Sequence, residues 1–353
     1  VIPDTVVVAG RNRGAAKERN HTADALRGLA ALAVCWFHFT HGNAAFLPEG
    51  ILRNSGNLGW VGVEVFFVIS GYAMMVATRK TSLDVSGFSQ FMGKRLLRLH
   101  PPYVATVLLI LLLNWLSAKT PGFHGPAFEF HLTQFLAHLA YAAPFFHQDW
   151  YNPVFWTLCI EVQWYFLVAL LARPLHSPKR NARWTVYALL LAMAFVPSVD
   201  YLLFRYLPLF CLGLAAFYWR SRLISVPEFV VALILSSLAS MITLGTTIAI
   251  AASITSLALC FVTIRNRALL WLGGISYSLY LLHVPIGGRI INLALRLPRR
   301  LDFELAGLFL AVAISILAAY LLWRFVEAPA HRAAQHLSGR NLRNSLGARS
   351  ESF

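Results

Sequence analysis

Long apolar runs alternate with short polar gaps along the whole chain. A stretch of about 20 mostly apolar residues is long enough to cross a bilayer as a helix. Ten candidates are visible, over 23–41, 60–77, 103–116, 154–172, 184–196, 202–219, 229–245, 246–264, 269–290 and 305–325. The third and fifth are short and extend into their flanks, and only the turn-like Leu244-Gly245-Thr246-Thr247 divides the seventh from the eighth. A membrane barrel would instead show alternating segments of about ten residues. The pattern predicts an all-α, polytopic membrane helical bundle of about ten transmembrane helices.

The charges fall in the gaps. With the N-terminus inside, 21 of the 30 Lys and Arg lie in cytoplasmic segments and five in external gaps, so the positive-inside rule puts both termini in the cytoplasm. The expected organisation is a basic cytoplasmic segment over 1–22, a transmembrane domain over 23–329 and a basic cytoplasmic tail over 330–353. Residues 1–22 show no cleavage site after a short apolar core, so no signal peptide is expected. Arg296, Arg299 and Arg300 break the charge pattern. They mark either an acidic or phosphate-bearing partner on the far side or a plain surface cluster.

Composition agrees. Of the 353 residues, 58% are apolar and 13% charged, too few polar groups to coat several soluble domains. A net charge of +15 would suggest nucleic acid, but its placement between apolar runs excludes that partner. Cys35, Cys159, Cys211 and Cys260 lie in apolar runs without paired spacing, so neither a disulfide framework nor a metal site is expected. The longest gap, 117–153, carries His124, His131, His138 and His147. It is read as a lid for the acceptor, with His131 and His138 on one helix face.

Ionisable groups inside a span are costly and count as functional hypotheses. The first span carries Asp24, Arg27 and His38; Arg27 and His38 are eleven residues apart, about 16 Å along one face, and Asp24 can pair with Arg27 one turn away. The second holds Glu64 and Ser70, with Gly62 and Gly71 allowing close helix approach. Ser70 is either a packing hydroxyl or a substrate contact. Arg95 and Arg98 share a face just before His100-Pro101-Pro102, and their planar forks suit phosphate. Thr157, Glu161 and Tyr165 form an i, i+4, i+8 stripe on the fourth span. His283 lies in the ninth, and Arg324 with Glu327 looks like an ion pair ending the tenth.

Counting residues from each boundary puts His38, His283 and Glu161 at one level in the outer half of the membrane. Arg27, Arg95 and Arg98 fall at the inner level. A cytoplasmic polyanion with a long arm suggests an acyl-CoA donor, its phosphates on the arginines and its thioester reaching His38. A histidine is the usual general base near neutral pH, and Glu161 would fix its tautomer and stabilise the imidazolium. Walker, HExxH and GxSxG motifs are missing from the sequence.

The blocks DALRGLAALAVCWFHF, GWVGVEVFFVISGY, RLLR before HPPY, FWTLCIEVQWY, ISYSLYLLH and the terminal EAP, in that order over 24–329, resemble the membrane acyltransferase-3 family. The resemblance implies ten transmembrane helices, acyl-CoA (most simply acetyl-CoA) as donor co-substrate with no permanently bound cofactor, and O-acylation of a carbohydrate hydroxyl. It aligns Arg27 and His38 with the family's arginine–histidine pair, Arg95 and Arg98 with its RxxR motif, and Glu161 with the acid of its W[ST]LxxE block. Glu64 stands where relatives often carry Asp, and Val162 replaces a frequent second acid. The short tail beyond the tenth span leads to the expectation of a stand-alone enzyme without an esterase-like extension.

The expected residue roles are therefore catalytic for His38 and Glu161 and donor-binding for Arg27, Arg95 and Arg98. Asp24, Glu64, Ser70, Thr157, Tyr165 and His283 are expected to support them. Expected partners are acyl-CoA, membrane lipids and a glycan or lipid-linked glycan such as a lipopolysaccharide O-antigen, exopolysaccharide or lipo-oligosaccharide. The expected location is the inner (plasma) membrane of a bacterium. The alternatives are a small acceptor such as a macrolide, a transporter or flippase with a buried proton relay, and a non-catalytic scaffold.

Overall fold

The computed structural model describes residues 20–79, 85–121 and 127–335. Most of the two expected basic termini, together with His124, lies outside the described residues. The described chain is all-helical, with no strand. Its helices are α1 (His21–His41), α2 (Ile51–Asn54), α3 (Gly62–Thr78), α4 (Val85–Ala118), α5 (Leu132–Leu139), α6 (Trp156–Leu175), α7 (Arg180–Met193), α8 (Leu207–Arg220), α9 (Val226–Leu244), α10 (Thr246–Phe261), α11 (Arg267–Leu282), α12 (Arg289–Ala294) and α13 (Leu301–Leu322).

Each expected span falls on a helix. Six helical stretches among the described residues are long and apolar enough to cross a membrane: Ile51–Thr78, Gly87–Ala118, Trp156–Leu175, Val226–Leu244, Arg267–Ala294 and Leu301–Gln335. The others are shorter, as in α7, α8 and α10, or interrupted by charge, as in α1. Val230, Ile234, Leu238 and Ile242 form an exposed stripe at every fourth residue of α9, and Ile250, Ile254 and Phe261 are exposed on α10. Exposed apolar stripes of this length fit lipid rather than water.

The helix least exposed is α8, buried continuously from Leu207 to Tyr218. It packs on α3 backbone to backbone: a Cβ on Gly71 would strike Phe210 O, and one on Gly213 would strike Val68 O. Gly62 packs in the same way against Ala30 of α1, 2.5 Å from a hypothetical Cβ to Ala30 O. Small residues permit this intimacy where lipid offers helices no hydrophobic drive to associate.

Three backbone irregularities place polar groups. α4 runs through Pro101 and Pro102, where each ring removes a ladder N–H, one turn beyond Arg98. His283 opens a π-turn over His283–Gly288, and a second over Trp323–Glu327 ends α13. Such wide turns are frequent at functional sites. The second undoes the expected Arg324–Glu327 ion pair. Glu327 is buried and accepts from Ser278 Oγ at 2.6 Å, while Arg324 lies 6.0 Å from the Phe325 ring centroid.

Candidate active site

Two polar groups occupy the interior. The first gathers on α1, α4 and α6. Arg27 pairs with Asp24 at 3.7 Å. Arg27, Arg95 and Arg98 act electrostatically on one another and on Tyr165, and Arg27 and Arg95 also on Glu161. Arg95 packs its guanidinium 5.9 Å from the Tyr165 ring centroid and 5.6 Å from that of Phe91. Tyr165 donates to Glu161 Oε1, and Ser70 donates to the same oxygen at 3.4 Å. Glu327 lies in electrostatic reach of Arg98 and Arg27. Tyr277 bonds Leu99 O at 3.0 Å and adds a phenol within reach of Glu161 and Glu327. Sequence reasoning missed Tyr277, although it lies in the quoted segment ISYSLYLLH.

The second group is a histidine pair. α1 and α11 touch where a Cβ on Gly28 would come within 2.7 Å of Gly273 N. Farther along both helices, the rings of His38 and His283 lie 5.1 Å apart, centroid to centroid. His283 is fully buried and its Nδ1 lies 3.2 Å from Leu279 O. A carbonyl only accepts, so Nδ1 carries the proton and Nε2 of the neutral ring is an acceptor. That Nε2 has no hydrogen-bond partner.

Glu161 therefore stands with the arginines rather than at the histidine level. No hydrogen bond or ion pair joins it to His38 among the described residues. The actual position follows from Tyr165, one turn along α6, which captures the carboxylate and holds it toward Arg95. Thr157 shares the α6 stripe with Glu161 and Tyr165 but bonds elsewhere: its hydroxyl lies 2.9 Å from Tyr280 OH, and both bond Val154 O, tying α6 to α11. Glu64 is buried with Oε2 unpartnered, in electrostatic reach of Tyr280 and Tyr206.

A cavity of about 840 Å³ reaches His38. Its wall includes Tyr151 and Asn152 from the long gap, and Arg289 and Arg296 after α11; Arg27, Arg95 and Arg98 do not line it. The gap is pinned by His138, which is buried. Its Nδ1–H donates to Gln134 O at 2.8 Å and its Nε2 accepts from Tyr151 N at 2.9 Å. Burial pushes this imidazole below its ordinary value. His131 does not share its face: it precedes α5, is exposed and pairs with Glu129 at 3.4 Å. Arg299 donates to Ala45 O and Phe46 O and pairs with Glu304, while Arg300 pairs with Asp302. These two basic residues are thus committed internally.

No solved structure matches the chain. The provisionally named membrane-bound transacylase BcsY of Komagataeibacter xylinus is 30% identical over 171 residues, 44% of this chain. The match covers 38% of that protein's length. The family described as "Acyltransferase domain", acyltransferase-3, matches residues 20–324, which takes in both polar groups except Glu327 and nearly the whole described bundle. The chain belongs to the acyltransferase-3 family.

Proposed function

We propose that this protein transfers an acyl group, most simply acetyl, from acyl-CoA to a hydroxyl of a carbohydrate, with His38 as general base. The observation that carries the reading is the separation of a three-arginine cluster from a paired histidine that borders a cavity. Guanidinium forks suit the nucleotide phosphates of the donor. Arg27 and His38 lie eleven residues apart on the unbroken α1, about 16 Å, so an arm has to run from one group to the other. The cluster does not line the cavity, so donor entry parts the side chains between them.

In the transfer, the acceptor oxygen forms a C–O bond to the thioester carbonyl while its proton passes to His38. The C–S bond then breaks and the proton goes on to the departing CoA sulfur. His283 takes the supporting part expected of Glu161: its unpartnered Nε2 accepts from His38 and steadies the imidazolium. Glu161, held by Tyr165 and Ser70, balances the arginines. We place the enzyme in a bacterial inner membrane with about ten crossings and both termini inside, acting on a glycan or lipid-linked glycan.

The test incubates purified protein with labelled acetyl-CoA and candidate glycans. Labelled ester with release of free CoA supports the reading. Movement of the glycan across a vesicle bilayer without ester formation would place the chain among transporters.

A further inference from the structure

The cavity beside His38 is lopsided in charge. Besides His38 and the Tyr151 phenol, its ionisable lining residues are Arg289 and Arg296, and no carboxylate lines it among the described residues. Arg289 is held in one pose, donating from Nη1 to Pro285 O and from Nη2 to Asn114 Oδ1, both at 2.6 Å. Its remaining N–H donors stay uncommitted, and its rotamer entropy is already spent before a ligand arrives. The exposed Arg296 side chain has no hydrogen bond or ion pair among the described residues, unlike those of neighbouring Arg299 and Arg300. The mouth also carries amides suited to hydroxyl groups, with Asn43 Nδ2 donating to Asn292 Oδ1 at 3.3 Å.

We propose that the cavity binds an anionic glycan, a sugar bearing a carboxylate or phosphate near the hydroxyl to be acylated, with Arg289 and Arg296 holding the anion. A neutral sugar would leave both guanidinium groups to water, with no counter-charge in the concavity. An anion accepts their forks with charge-assisted bonds, about twice as strong as neutral ones. The proposal rests on the acyl-transfer reading for its hydroxyl, while its binding claim is measured without any donor.

The experiment titrates the purified full chain in detergent with methyl glucuronide, glucose 1-phosphate or methyl glucoside and follows thermal stabilisation. Stabilisation by either anionic probe and not by the neutral one is expected, weakening with added salt. A response to the glucuronide alone identifies a carboxylate, and one to the phosphate alone a phosphate. Arg296→Gln, which removes no internal bond, should lose about tenfold in affinity, as expected for one charged hydrogen bond. Arg289→Lys, keeping the charge without the fork, should also weaken binding. Equal stabilisation by methyl glucoside, no stabilisation by any probe, or an unchanged Arg296→Gln would overturn the proposal. Anion binding without acetyl transfer to the bound probe would instead sink the enzymatic reading and leave the charge inference standing.

Discussion

His38 and His283 each stand ten residues beyond the glycine at which their helices touch. α1 and α11 pack together along their length, so the Gly28–Gly273 contact sets the spacing that brings the two rings within 5.1 Å. The pairing is a property of helix packing rather than of either side chain alone.

Gly273→Ala tests this directly. Its Cβ would strike Asp24 O, a backbone atom that cannot swing aside. Overpacking of this kind costs about 1–3 kcal/mol. We expect a lower melting temperature and a drop in turnover larger than any change in donor binding. Gly274→Ala, whose Cβ meets nothing within 4 Å, should behave like the wild type in thermal and kinetic assays.

The bundle was legible in the sequence because a span announces itself by length and apolarity alone. The arginine cluster was legible for a similar reason, since Arg27, Arg95 and Arg98 are conspicuous in apolar surroundings. The partner of His38 was not. Both Glu161, partly buried, and His283, buried, are polar residues inside spans, and only the wide turn at His283 and the hydrogen bond from Tyr165 to Glu161 decide which of them faces the base. The cavity wall was also hidden, because Asn43, Asn114 and Asn292 sit near helix ends, where amides ordinarily read as caps.

His283 is a positioning residue, and its variants should separate kcat from KM. His283→Phe keeps a ring but leaves His38 without an acceptor. Turnover should fall about tenfold or more, the ~1–3 kcal/mol of an unmade buried hydrogen bond, with donor KM unchanged. His283→Gln offers a carbonyl acceptor and should recover part of the loss. Steady-state kinetics with both variants make the comparison.

The arginines should act on the donor. Arg95→Ala or Arg98→Ala is expected to raise the acyl-CoA KM about ten- to a hundredfold, matching the ~1.5–3 kcal/mol of a charged hydrogen bond, while kcat changes less. Donor KM equal to wild type in both variants would return these residues to the role of topology signals.

Stability should depend on pH through His176. It lies just past α6 with Nε2 2.8 Å from Thr78 Oγ1, and burial, followed by the nearby Arg79, pushes it down to about 4. The folded state thus binds its proton later than the unfolded chain, whose histidine titrates near 6.5. Stability is complete above pH 6.5 and falls as pH drops toward 4, because the unfolded state takes up the proton first. Buried His138 adds in the same direction. Melting curves across this window should show the decline, and His176→Gln should flatten it.

Acetyl transfer by His38→Ala, measured with labelled acetyl-CoA and an acceptor that the wild type uses, bears most directly on the account. A base contributes about 10²- to 10⁴-fold to rate, so turnover should fall by at least that lower figure while the protein inserts and binds CoA as before. Turnover at the wild-type rate would contradict the assignment of the base.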